Sequence, residues 1–308
     1  MPTKKKSDGR WLRLILHGKV AREPAVREAV EGVRAAGHEV EVRVTWEPGD
    51  AERFAREAAE AGVEVMVAGG GDGTLNEVAT GLLADREDAP RAMGLLPLGT
   101  GNDFARACGI PLEDPFAALT IVTDTEPVPI DVGKVNGRLF VNLASGGSGT
   151  EIIAETNEDL KKVLGSAAYL LTGLRRFLDI QPVEAKLSGP DLSWEGELIA
   201  LAVGNGRFAG GGIPLCPDAL LDDGQLDVSV LPAPAAEQRV ERIVALLREG
   251  RGAIESEMES WRTDSLTIEV PESMYINLDG EPLKDTKFEF ELLGKALAFH
   301  LPETAPLS

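Results

Sequence analysis

The chain has 308 residues, a length that predicts two domains rather than one. With 43% hydrophobic and 27% charged residues it has the balance of a globular protein with a buried core, which excludes disorder as its main state. The 51 acidic against 31 basic residues leave a net charge of -20, which excludes nucleic acid as a partner because a phosphate backbone must be neutralised by cations.

The first predicted strand is WLRLIL at 11–16, interrupted in its apolar run by Arg13 and followed by a turn at His17, Gly18 and Lys19. A helix is predicted from Pro24 to Ala36, ended by Gly37. EVEVRVT at 39–45 alternates strictly and reads as a strand, with Asp50 capping the helix that follows. VEVMVA at 63–68 and MGLLPL at 93–98 supply two more strands, each followed by a glycine-rich loop and a helical pattern. Strand and helix in alternation predict a parallel sheet with helices on both faces.

After Pro129 the rhythm changes to short runs separated by glycine and proline: Arg138 to Leu143, Glu197 to Val203, Gln225 to Val230, Leu266 to Val270 and Lys287 to Leu292. These predict a mainly antiparallel β-sandwich with helical stretches near 155–178 and 235–249. The expected division is 1–129 and 130–292, hinged at Thr125 to Pro129, with a tail at about 293–308 returning to the first domain.

Two cysteines, Cys108 and Cys216, show no metal or disulfide spacing, and no apolar run approaches the roughly 20 residues that span a bilayer. A soluble, cytoplasmic protein is the expectation. The largely apolar helical stretch from Val163 to Ile180, with Arg175 and Arg176 near its end, is read either as core or as a flap that admits an acyl chain while the arginines meet an anionic headgroup in a transient membrane-surface contact. His17, His38 and His300 have no triad or ligand spacing.

Gly69-Gly70-Gly71-Asp72-Gly73-Thr74 stands directly between a strand and a helix. Successive glycines let backbone N–H groups approach a phosphate, and the helix N-terminus adds positive potential. The loop lacks both the Gly-Lys-Ser/Thr of a Walker A motif and the dinucleotide fingerprint. A second loop, PLGTGNDFA at 97–105, follows the neighbouring strand, and two such loops mark the crevice of an open parallel sheet. In the second half, Asp222-Asp223-Gly224 is an oxygen-rich turn suited to a hard cation, and Asp279-Gly280-Glu281-Pro282 is a second acidic turn.

GGGDGTLNE (69–77) followed by LPLGTGNDFA (96–105) resembles the catalytic domain of the diacylglycerol kinase and sphingosine kinase superfamily. VNLASGGSGT (141–150), GNGRFAGGG (204–212), LCPDALLDDGQLDV (215–228) and NLDGEPL (277–283) extend the likeness to the bacterial YegS-like lipid kinases over nearly the whole chain. GGDGT alone is shared with NAD kinases and phosphofructokinases; the second loop and the DGEP block narrow the match. The resemblance implies a phosphofructokinase-like α/β domain, a β-sandwich, and ATP in the cleft between them.

Carried over position by position, it implies that Thr45, the loop Gly71, Asp72, Gly73, Thr74, Leu75, Asn76 and Glu77, and Thr100 contact the nucleotide. It implies a metal held by Leu220, Asp223 and Gln225, Mg²⁺ or Ca²⁺, regulatory or catalytic, besides the Mg²⁺ that travels with ATP. Glu281 becomes the proton acceptor, with Asp279 sharing or replacing it in that role. The implied reaction transfers the γ-phosphoryl group to a glycerolipid hydroxyl, of the phosphatidylglycerol or diacylglycerol class. A kinase for a water-soluble acceptor such as NAD, or a sensor that binds nucleotide or lipid without turnover, are the alternatives.

Overall fold

The computed structural model describes residues 9–84, 92–147, 181–234 and 257–308. Its first half runs β1 (Trp11–Leu16), α1 (Pro24–Ala35), β2 (Glu39–Val44), α2 (Asp50–Glu60), β3 (Val65–Gly70), α3 (Asp72–Leu83), β4 (Ala92–Pro97), α4 (Asp103–Cys108) and α5 (Pro115–Asp124). The four strands are parallel in the order β4-β3-β1-β2. β1 and β3 lie inside the sheet with helices above and below, so their residues are buried on both faces. β2 is the outer strand and keeps the charged alternation EVEVRV. Arg13, the interruption in β1, is buried because Glu41 on β2 answers it through Nε and Nη2, at 2.8 and 2.7 Å.

Right-handed crossovers send α1 to one face and α2 and α3 to the other. The packing follows that division, α1 lying on α5 and α2 on α3. α1 presents Val26, Ala29, Val30 and Val33 to the core at helical spacing. β1 and β3, neighbours in the sheet, therefore release their chains to opposite faces, which opens a crevice at their carboxyl ends.

The second half comprises β5 (Val128–Val135), β6 (Arg138–Phe140), β7 (Leu143–Gly146), β8 (Val183–Gly189), β9 (Leu192–Gly204), β10 (Phe208–Ala209), β11 (Ile213–Pro214), β12 (Leu226–Pro232), β13 (Glu259–Thr263), β14 (Ser265–Leu278) and β15 (Glu281–Phe299). It is antiparallel almost throughout, with its own core from Val135 and Phe140 to Phe288 and Phe290. This is the expected combination of a parallel α/β half with a β-rich half. The helical stretches expected near 155–178 and 235–249, including Val163 to Ile180, lie outside the described residues. Among the described residues no helix is long and apolar enough to cross a membrane, and both cysteines are buried and free.

β15 joins the halves. It pairs with β14 along most of its length, then passes a register shift between Leu293 and Leu297 and ends parallel to β4 through Ala298 and Phe299. β5 accompanies it on both sides of the shift.

Just beyond it, buried His300 accepts a hydrogen bond from Arg10 Nη1 at Nε2 (3.1 Å) and donates from Nδ1 to the Thr125 carbonyl (3.0 Å). Burial, then the Arg10 guanidinium, holds its pKa down at about 4. The fold thus keeps the ring neutral, while the unfolded chain takes up its proton near pH 6.5. Stability is therefore lost as pH falls from 6.5 towards 4, by about 2 kcal/mol at pH 5 from this group alone. His300→Gln should show a correspondingly shallower loss between pH 7 and 5 in urea unfolding. Parallel curves for parent and variant would remove His300 from the account.

Candidate active site

At the carboxyl ends of β1, β2 and β3 lies a cavity of about 580 Å³. Its walls are His17, Gly18 and Lys19 after β1, Thr45 and Trp46 after β2, Thr74 and Glu77 in α3, and Glu281 at the start of β15. The structure so brings together Thr45, Thr74, Glu77 and Glu281 from the residues singled out by sequence, and adds His17, Lys19 and Trp46. Those three follow β1 and β2 at the crevice, which is the signal that sequence reading passes over when it treats 17–19 as a turn.

Gly71 is the N-cap of α3, and the first hydrogen bond of that helix runs from the Leu75 N–H to the Gly71 carbonyl at 3.0 Å. The Gly73 and Thr74 N–H groups precede that bond and have no partner within the helix, the arrangement that receives an anion. Leu75 is fully buried, so its side chain serves the core. Gly71 is required for close approach: a Cβ there would stand 3.2 Å from the Gly99 Cα, and one on Gly99 would collide with the Gly71 Cα.

Asp72 turns towards the second loop and accepts hydrogen bonds from the Asp103 and Phe104 N–H groups, both at 3.0 Å. Burial raises its pKa against the pull of those two donors. Asn102, at φ 51°, closes the loop by donating to the Gly99 carbonyl at 2.7 Å and accepting from its N–H at 2.8 Å. Asp103 reaches the other half, where the Gly211 and Gly212 N–H groups donate to it at 3.1 and 2.6 Å. The second loop is thereby a brace between the halves. Thr100 on it is exposed and lies off the cavity wall.

The acidic turn is the tip of the β14–β15 hairpin. Asp279 and Gly280 both have positive φ, 49° and 106°, the geometry of a two-residue turn that suits an Asp-Gly pair. Asp279 is buried, and its carboxylate accepts from the Val141 N–H at 2.6 Å, the Leu143 N–H at 2.9 Å, the Asn142 N–H at 3.2 Å and Asn76 Nδ2 at 3.0 Å. Burial pushes its pKa up to about 6 against the pull of those donors. Asn76 also donates to the Leu139 carbonyl at 2.8 Å and accepts from Thr80 at 3.2 Å, so its amide is spent on holding α3 to this tip.

Glu281, two residues on, is exposed and faces the cavity. Glu77 accepts from the Ala51 N–H at the start of α2, and its pKa is raised by burial and then by the negative charge of Glu281. Two carboxylates therefore share one wall, one fixed and one open to solvent.

Leu220, Asp223 and Gln225 lie in the segment before β12. Asp223 Oδ1 accepts from the Gln225 N–H at 3.1 Å, and Oδ2 stands 3.7 Å from Arg262 Nη1. Nearby Asp227 has a buried Oδ2 without a hydrogen-bond partner among the described residues, and burial lifts its pKa to about 6. Among the described residues no three His, Cys, Asp or Glu side chains are grouped as metal ligands. The Asp223 carboxylate and the orphaned Asp227 oxygen near it are oxygen donors of the kind that suits a hard cation. The turn is tied to the interdomain ribbon, since the Gly224 and Lys295 N–H groups both donate to Asp131, at 2.8 and 2.6 Å.

Residues 12–135 match the diacylglycerol kinase catalytic domain, and residues 144–300 match the YegS C-terminal NAD kinase beta sandwich-like domain. A protein of Pseudomonas aeruginosa PAO1 named "Probable lipid kinase YegS-like" is 53% identical over 294 residues, 96% of this chain and 95% of its own. Its namesake from Pseudomonas fluorescens Pf-5 is 51% identical, covering 96% of each chain. The fold is shared with a diacylglycerol kinase structure from Bacillus anthracis str. Sterne, at a TM-score of 0.73 and 24% identity over 97% of this chain and 99% of that one. A diacylglycerol-kinase-type catalytic half, a YegS-type β half and relatives of more than 50% identity over almost the full length establish that the chain belongs to the YegS-like branch of the diacylglycerol kinase family, a kinase of hydroxyl acceptors.

Proposed function

We propose that the protein transfers the γ-phosphoryl group of ATP to the hydroxyl of a glycerolipid, of the diacylglycerol or phosphatidylglycerol class. The observation that carries this reading is the arrival of Glu281, on a hairpin from the β half, at the wall of a cavity that Thr74, in the first turn of α3, also lines. The phosphates rest on the Gly71 to Thr74 backbone, where N–H groups without a partner in the helix and the helix dipole favour negative charge. Thr45 and Lys19 line the path outward. Glu281 takes the proton of the acceptor hydroxyl as its oxygen bonds to the γ-phosphorus and the bond from that phosphorus to the β–γ bridging oxygen breaks, releasing ADP; Asp279 and Asn76 hold the tip that carries Glu281.

The acceptor hydroxyl of a glycerolipid lies at a bilayer surface, so turnover entails a transient surface contact. With a net charge of -20 that contact does not depend on attraction to anionic lipids. Glu77 and Glu281, on the same wall, are the carboxylates that would face a Mg²⁺ bound with the phosphates, and that ion would neutralise charge developing on them. A second divalent ion would be held by the Leu220 and Gln225 carbonyls and Asp223.

Asp223→Ala should then raise the divalent-ion concentration needed for activity by at least about 10-fold, without moving ATP affinity. If the metal titrations of parent and variant overlay, Asp223 serves only the Gln225 N–H and Arg262. The reading as a whole is tested by incubating the chain with γ-labelled ATP, Mg²⁺ and either diacylglycerol vesicles, phosphatidylglycerol vesicles or NAD. Label in extracted lipid supports it; label confined to NAD, or to free phosphate alone, contradicts it.

A further inference from the structure

Trp46 is 94% exposed, whereas the other large apolar side chains exposed among the described residues, Val44, Phe116 and Tyr275, are about half covered. A single exposed apolar residue needs no explanation on an ordinary surface. This one stands on the wall of the donor cavity. Its backbone is fixed, because Asp50 Oδ2 accepts from both the Trp46 N–H, at 2.7 Å, and the Glu47 N–H, at 3.1 Å. Asp50 is itself buried and held by Arg53 Nη2 at 2.6 Å. Pro48, and Gly49 at φ 83°, complete a turn with little freedom. The indole is thus offered to solvent from a rigid base, with its faces uncovered.

Its place in the sheet sets what it can meet. Thr74 and Glu281 mark the end of the cavity at β3, and Trp46 follows β2. β1 lies between, so two strand spacings, about 10 Å, separate the two ends. A ribose with three phosphates is long enough to bridge that gap. The intervening wall is polar: the Gly18 N–H donates to Thr45 Oγ1 at 3.1 Å, and Lys19 is the one cationic side chain among the described residues lining the cavity. A nucleotide whose terminal phosphate lies at α3 beside Glu281 has its base at the β2 end, where the indole waits.

We propose that Trp46 is the platform on which the nucleobase of the phosphoryl donor stacks, so that this residue, and not the phosphate loop, makes the site read a base. The inference rests on the donor reading above. Aromatic stacking is tolerant of base identity because every base has a π face, and the larger purines cover more of an indole than pyrimidines do. The site therefore takes ATP and GTP ahead of UTP, and loses that order when the indole is removed.

Calorimetry on the full chain with Mg²⁺ and, in turn, ATP, GTP, UTP and inorganic tripolyphosphate tests this, using the parent, Trp46→Ala and Trp46→Phe. Because the side chain is exposed, its truncation leaves the core intact, and circular dichroism checks that. Trp46→Ala should weaken ATP and GTP about 5- to 150-fold, Trp46→Phe should recover most of the loss, and tripolyphosphate should be unaffected. If the parent binds ATP and Trp46→Ala binds it equally well, the platform is wrong and the donor site stands. If tripolyphosphate weakens as much as ATP, Trp46 shapes the turn and does not stack on a base. If the parent binds no ATP, the donor reading and the platform fall together.

Discussion

Glu281→Gln should lower turnover by about 10²- to 10⁴-fold while ATP binding and folding stability stay near the parent's. The substitution keeps size and most hydrogen bonding but removes the charge that accepts a proton. Glu281 is exposed, follows the turn and pairs with Leu278 only through the strand register, so the fold asks little of its side chain. Exposed substitutions of this kind usually change stability by no more than about 0.5 kcal/mol. Removing the charge also relieves Glu77 of a like neighbour. Near-parent phosphorylation of lipid by Glu281→Gln would move the base elsewhere.

Asp279→Asn should instead cost about 3 kcal/mol of stability and reduce turnover along with it. The residue sits at φ 49°, a conformation Asn adopts readily, so the turn itself does not resist the change. The cost comes from hydrogen bonding. Three backbone N–H groups, from Val141, Asn142 and Leu143, together with the Asn76 amide, point at a carboxylate. An asparagine brings its own donors into that ring and leaves one oxygen to answer four. Urea unfolding and kinetics on the two variants separate the roles: stability lost only in Asp279→Asn, turnover lost in both. An Asp279→Asn protein as stable as the parent, yet inactive, would instead make Asp279 the base.

Much of the first half was legible because each strand and helix there carries its own period and its own stop. Gly37, with φ 104°, and the Pro24 start of α1 are local signals with local effects. The second half hid its longest elements. Leu266 to Val270 reads as a short strand because Pro271 and Glu272 follow it, yet β14 passes a register shift there and runs on to Leu278. Likewise Lys287 to Leu292 is the middle of a 19-residue β15 that tolerates Pro282 near its start and crosses Gly294 at its register shift. A strand of that length cannot be read from a window that treats every breaker as an end.

The site shows the same division. The close approach of the two loops at Gly71 and Gly99 is visible in the runs of glycine, because it is written in residue type. The partners of Asp72, Asn76 and Asp279 are not, since they come from 31, 203 and 138 positions away. A carboxylate in a motif looks the same whether it touches a substrate or answers four N–H groups in the core. Only the topology, which sets the hairpin tip between β7 and α3, distinguishes Glu281 from Asp279.

A crystal structure of the chain with Mg²⁺ and a non-hydrolysable ATP analogue tests this arrangement most directly. The terminal phosphate is expected on the Gly73 and Thr74 N–H groups, the base at Trp46, and Glu281 facing the open side of the γ-phosphate. A triphosphate bound outside the cavity of β1, β2 and β3, or a γ-phosphate turned away from Glu281, would contradict it.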